Sequence, residues 1–171
     1  MKYYFLGIGG IGMSSLAKYL FDLGYQVMGY DKTSSYITEN LVASGIQILF
    51  DDNIELIPSN FNKENTQVVY TPAIPKDNPQ YDYFARQGYS IKKRAVLLGE
   101  ITKDFTVFAI AGTHGKTTTA SFLSHLFKYA NLDFTAFLGG VLNSDKSNLV
   151  HRGTKYAIVE ADEYDRSFLQ L

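Results

Sequence analysis

An α/β fold made of two successive sheet-and-helix units is predicted by three observations. Glycine-rich turns follow apolar, strand-like runs twice, at residues 7–12 and 112–115. A helical pattern of apolar residues follows each turn. In the first half of the chain the order helix, glycine, strand recurs three times, at Gly24, Gly45 and Gly88. Such alternation argues for a parallel sheet covered by helices. The expected organisation is a Rossmann-like parallel-sheet domain over residues 1–98, then the beginning of a P-loop α/β domain over residues 99–171.

Composition bounds what the chain can do. Of 171 residues, 46% are hydrophobic, enough for a real core. The 16 basic and 17 acidic residues leave a net charge of −1 with no basic stripe, which argues against a nucleic-acid partner. The absence of cysteine excludes disulfides, thiolate metal sites and thiol catalysis. No apolar run approaches the roughly 20 residues that span a bilayer. The apolar start carries four glycines by Gly12 and reads as strand and turn rather than a signal peptide. A cytoplasmic enzyme without membrane or nucleic-acid partners is expected.

Taken in order, residues 3–8 read as a strand ending in Gly7-Ile8-Gly9-Gly10-Ile11-Gly12. Gly7, Gly9 and Gly12 form G-x-G-x-x-G directly after it. Met13, Leu16, Ala17, Leu20 and Leu23 give a helix stopped by Gly24. A second strand, 26–30, ends at Asp31. That acid lies roughly 20 residues beyond the turn, where dinucleotide folds place the carboxylate that binds a ribose hydroxyl. The same turn can bind any diphosphate. A helix over 35–44 precedes a strand over 46–50, and a helix over 80–87 precedes a strand over 90–92. Residues 67–71 form a further strand. It runs into Thr71-Pro72-Ala73-Ile74-Pro75, a proline-bounded loop at the edge where open α/β sheets bind ligands. Residues 60–66 form a polar surface loop. Lys92-Lys93-Arg94 reads as a solvated strand end, with contact to a phosphate as the alternative. A domain boundary is expected near residues 98–104.

The second unit opens with an apolar strand over 106–111. The loop Gly112-Thr113-His114-Gly115 follows, then Lys116-Thr117-Thr118 and a helix whose apolar face carries Phe122, Leu123, Leu126, Phe127 and Ala130. Loop N–H groups and a helix N-terminus together favour an anion. Lys116 can reach the outer phosphates of a nucleotide, and the Thr117 hydroxyl suits Mg²⁺. The loop is shorter than the general P-loop, whose first glycine would fall at Ile110. A strand over 134–138 ends at Gly139-Gly140, and residues 143–148 form a polar loop. A strand over 155–159 delivers Glu160 at its carboxyl end. A hard cation needs carboxylate oxygen there. Asp162, Glu163 and Asp165 read mostly as a solvated acidic loop. His114 lies in the phosphate loop, His125 on the exposed side of a helix and His151 in a loop; none has zinc-site spacing.

Taken together and in order, G-I-G-G-I-G-M, A-G-T-H-G-K-T-T-T and E-A-D-E-Y-D-R-S-F-L resemble the Mur ligase family along the whole chain. The resemblance implies ATP-dependent ligation of L-alanine to UDP-N-acetylmuramate in peptidoglycan precursor synthesis, through an acyl phosphate. It implies that Gly9, Gly10, Ile11, Gly12 and Met13 hold the UDP diphosphate, with Asp31 near the uridine. Thr71 opens a segment resembling a Ser-Ala-Ile-Pro segment near the UDP, although Thr71-Pro72 replaces the usual serine pair. Gly112, Thr113, His114, Gly115, Lys116, Thr117 and Thr118 are implied to bind ATP. Lys116 and Glu160 carry the catalytic charge, and Thr117 and Glu160 hold Mg²⁺. The family's ATP domain continues beyond Leu171, so the chain reads as an N-terminal fragment that is not expected to ligate alone. Two alternatives stand: a ligase that attaches an intact tripeptide to the same nucleotide, and a non-catalytic NAD-sensing Rossmann module. The latter leaves Lys116 and Glu160 unused.

Overall fold

The computed structural model describes residues 1–142 and 146–161. Asp162, Glu163 and Asp165, expected in an acidic loop, lie outside the described residues. The chain divides into two units, 1–94 and 95–171, slightly before the expected limit at Leu98.

In the first unit, five parallel strands form one sheet in the order β3-β2-β1-β4-β5. They are β1 (Lys2–Leu6), β2 (Gln26–Tyr30), β3 (Gln47–Leu49), β4 (Thr66–Tyr70) and β5 (Ser90–Lys93). Helices α1 (Ile11–Asp22), α2 (Tyr36–Ala43) and α3 (Pro79–Arg86) make the crossovers. The strand order reverses between β1 and β4, which opens a crevice at their carboxyl ends. Local chemistry sets the helix starts. Ser35 and Thr38 bond each other's backbone N–H groups in a capping box before α2. Asn78 accepts from Gln80 and Tyr81 N–H while Pro79 opens α3. The core gathers Tyr4, Leu6, Met28, Tyr30, Phe61, Val68 and Phe84. Tyr4 is fully buried, and its hydroxyl donates to Gln80 Oε1 at 2.7 Å. Burial pushes that hydroxyl's pKa well above the ordinary tyrosine value.

The second unit has a four-stranded sheet, β6-β9-β7-β8, with β6 (Thr106–Ile110), β7 (Phe134–Leu142), β8 (Ser147–His151) and β9 (Tyr156–Glu160). Strands β6, β9 and β7 are parallel, but β8 runs antiparallel to β7, so the sheet is mixed. Three expectations change here. The polar loop over 143–148 gives way to β8 from Ser147, and His151 ends that strand instead of lying in a loop. Buried Asn148, Leu149 and Val150 hold β8 against β7. The strand expected to stop at Leu138 continues through Gly139-Gly140 to Leu142, with its register to β8 shifting between Phe137 and Leu142. The stretch 98–104, where a boundary was expected, begins inside helix α4 (Arg94–Thr102).

Helix α5 (Lys116–Tyr129) packs on this sheet. Its buried face is centred on Ala120 and Ser124, with Leu123 and Phe127 partly buried against Phe134 and Ile158. Phe122 and Leu126, expected on that face, are 64% and 45% exposed. His125 is exposed, as expected. Among the described residues no helix is long and apolar enough to cross a membrane.

Candidate functional site

Both glycine turns sit at carboxyl ends of strands, one in each unit. In the second unit the chain leaves β6, passes residues 111–115 and enters α5. Gly112 has φ +144° and Gly115 φ +79°, backbone that glycine adopts far more easily than other residues. The loop residues Thr113, His114 and, on the helix, Thr118 are exposed. Lys116 is the first residue of α5, and its ammonium donates to the Gly112 carbonyl at 2.6 Å. The lysine therefore folds back over the loop that would receive phosphates.

Strand β9 aligns Glu160 with Ile110, at the mouth of the same loop. Thr117 Oγ1 donates to Glu160 Oε2 at 2.9 Å, and the Gly139 N–H donates to Glu160 Oε1 at 2.7 Å. Chain positions far apart thus meet, as the sequence led one to expect for Thr117 and Glu160. The glycine pair in β7 makes room for them. A Cβ on Gly139 would lie 2.6 Å from Glu160 Oε2, and one on Gly140 would lie 2.9 Å from Thr117 Cγ2. Gly139 and Gly140 are therefore part of the site, although the sequence placed them only at a strand end. A hydroxyl and a carboxylate in contact beside a helix N-terminus suit a hard divalent cation that keeps some of its water. Lys116 adds a cation for phosphate oxygen.

In the first unit the turn after β1 is held from below. Gly7 and Ile8 N–H donate to the Tyr30 carbonyl at 2.8 and 3.0 Å. Gly10 N–H donates to the Gly7 carbonyl at 3.1 Å. Gly9 N–H donates to Asp31 Oδ2 at 2.8 Å, while Asp31 Oδ1 accepts from Thr33 N–H at 3.1 Å. Asp31 thus braces the turn, a role its spacing alone did not reveal. A Cβ on Gly9 would lie 2.7 Å from Thr38 Cγ2 and 2.8 Å from Asp31 Oδ2, so a side chain there would have to displace both. Gly7 has φ +82°, and its open face is covered by the loop after β4: a Cβ there would lie 3.0 Å from Thr71 Cγ2 and 3.3 Å from Ile74 Cδ1. Thr71 therefore lies against the turn across the β1/β4 crevice. Met13 is buried, and its N–H donates to the Gly10 carbonyl at 2.9 Å. Ile11 is half-buried. Beside Gly12 lies Arg94: a Cβ on Gly12 would come within 2.9 Å of Arg94 Nη1 and 3.2 Å of its Cζ. The basic run 92–94 was the one sequence signal for that residue.

The model of the Mur ligase family, catalytic domain, matches residues 2–106. The chain belongs to the Mur ligase family. It is 55% identical over 168 residues to a UDP-N-acetylmuramate--L-alanine ligase of Flavobacterium johnsoniae, covering 98% of this chain and 37% of that protein. Among solved structures it resembles a UDP-N-acetylmuramate-alanine ligase of Thermotoga maritima, with TM-score 0.86 and 32% identity over 95% of this chain and 37% of that one. It also resembles the UDP-N-acetylmuramate:L-alanyl-gamma-D-glutamyl-meso-diaminopimelate ligase of Neisseria meningitides, with TM-score 0.85 and 26% identity over 97% and 54% of the two chains. This Mur ligase chain spans little more than a third of the length of the curated relatives it matches.

Proposed function

We propose that the chain serves the ATP-dependent ligation of L-alanine to UDP-N-acetylmuramate in peptidoglycan precursor synthesis. The observation that carries this reading is the contact of Thr117 with Glu160 beside Lys116, in a chain 55% identical to a relative named for that reaction. The first unit would hold the UDP portion of the substrate along the turn 7–12, Asp31 and Thr71. The second would hold ATP on residues 112–118.

The chemical problem is that a carboxylate is a poor electrophile at neutral pH. In the proposed sequence a lactyl carboxylate oxygen attacks the γ-phosphorus of ATP, and ADP leaves. Lys116, released from the Gly112 carbonyl, offsets the charge on the transferring phosphoryl group. Thr117 and Glu160 would hold Mg²⁺, which, when bound, neutralises phosphate charge. Gly139 N–H keeps Glu160 aimed at that position. The alanine amine then forms the C–N bond, the C–O bond to phosphorus breaks, and inorganic phosphate departs with one former carboxylate oxygen.

Heavy-oxygen label placed in the lactyl carboxylate tests this order. Label recovered in the released phosphate is expected. Label retained wholly in the amide product would refute the acyl phosphate. A second reading, attachment of a tripeptide to the same nucleotide, is favoured by the near-equal likeness to the Neisseria enzyme. The higher identity to the alanine ligases places it second. Both readings use the same nucleotide substrates and differ in the amine.

A further inference from the structure

We propose that Arg94 is the cation that binds the diphosphate of the UDP-substrate at the turn 7–12. The inference rests on the reading of that turn as the UDP site. The N–H groups of Gly7, Ile8, Gly9 and Gly10 all donate within the fold, to Tyr30, Asp31 and Gly7. Those four amides, the usual instruments of a glycine-rich phosphate turn, are therefore already engaged. What remains for an anion is the first turn of α1, whose end carries only about half a unit of positive charge.

The electrostatics around the turn make that too little. Asp31 places a carboxylate 2.8 Å from the Gly9 nitrogen. A diphosphate with about two negative charges would meet that carboxylate across the turn, so a full positive charge is needed nearby. Arg94 supplies it, with Nη1 beside Gly12. Guanidinium is the group suited to bind two phosphate oxygens at once.

Two further features separate this placement from an incidental one. Arg94 is the first residue of α4, where the helix macrodipole disfavours a cation. A local rule is broken there, which is common at functional positions. Gly12, in turn, shows no left-handed backbone requirement for glycine. What a side chain at position 12 would displace is the Arg94 guanidinium. Arg94 also leaves the carboxyl end of β5, next to β4, whose end carries Thr71. The guanidinium and the Thr71 loop therefore reach the turn from the same edge of the sheet.

The test measures UDP and uridine binding to the full chain by NMR titration, for the wild type, R94Q, R94K and G12A. Glutamine keeps much of the stem and removes the charge. R94Q is expected to weaken UDP about 10–100-fold, as loss of a charged hydrogen-bond pair would, with uridine binding unchanged. R94K should recover part of the loss. G12A should weaken UDP in the wild type and add little in the R94Q background, because both changes remove the same guanidinium. UDP binding by R94Q within about twofold of wild type, or an equal loss of uridine binding, overturns the proposal. Failure of the wild type to bind UDP would instead overturn the reading of the turn, and this proposal with it.

Discussion

Gly139→Ala adds one methyl group where a carboxylate now lies. The new Cβ would fall 2.6 Å from Glu160 Oε2 and 2.9 Å from Oε1, so the carboxylate must move. Gly139 itself is exposed, and the atoms met are the far end of a flexible side chain. The fold should therefore be retained. The loss falls on aim: the Gly139 N–H bond to Oε1 and the Thr117 bond to Oε2 depend on the present position of Glu160. Disturbing a partner that orients a metal ligand typically lowers metal affinity or activity about 10–100-fold. The assay is ADP release by the full-length ligase with UDP-N-acetylmuramate and L-alanine, titrated with Mg²⁺. The half-saturating Mg²⁺ concentration should rise about 10-fold or more while the KM for UDP-N-acetylmuramate stays near wild type. A variant with unchanged Mg²⁺ dependence and turnover would refute the assignment of Glu160 as the metal carboxylate.

Lys116→Ala in the full-length ligase should lower kcat about 10²–10³-fold with little change in thermal stability, as expected for one lost electrostatic contact to the transferring group; near-normal turnover would remove Lys116 from the mechanism. The 171-residue chain alone should bind UDP-N-acetylmuramate without ligating, since phosphoryl transfer depends on positioning and water exclusion; alanine-dependent ADP release at the full-length rate would contradict this. The Tyr89 hydroxyl, which donates to the Phe61 carbonyl at 2.9 Å, is pushed up to about 12 chiefly by burial. Its stabilising effect is complete below the unfolded tyrosine value near 10 and is lost as pH rises through about 12. Alkaline unfolding followed by circular dichroism should be less steep over that range in Y89F, and identical curves would show that Tyr89 does not contribute.

Much of the first unit was legible because its signals are local. Three helix-to-strand steps are punctuated by a glycine, at Gly24, Gly45 and Gly88, whereas the caps at Ser35 and Asn78 emerge only from the structure. The glycine loop 112–115 and the place of Glu160 were legible for the same reason: each lies at a strand end marked by a distinctive residue. What escaped depends on contacts between distant positions. Strand β8 is only Ser147–His151 and gains its identity by pairing with β7. Gly139 and Gly140 look like a strand terminus until Glu160 and Thr117 are seen filling the space a Cβ would take. Phe122 and Leu126 match the helical period of α5 as well as Leu123 and Phe127 do, and only the position of the sheet decides which pair is covered. Asp31 has the spacing of a ribose ligand, yet both its oxygens accept backbone N–H groups. Arg94 sits at the end of a basic run that a solvated strand end would explain equally well.

The proposed reaction ligates an amino acid to a UDP-sugar acid with ATP. Its most direct measurement is product analysis by mass spectrometry after incubating the full-length ligase with UDP-N-acetylmuramate and Mg-ATP, and either L-alanine or the L-alanyl-γ-D-glutamyl-meso-diaminopimelate tripeptide. UDP-N-acetylmuramoyl-L-alanine is expected, with ADP formed in equal amount and little product from the tripeptide. A product with the tripeptide and none with L-alanine would contradict it.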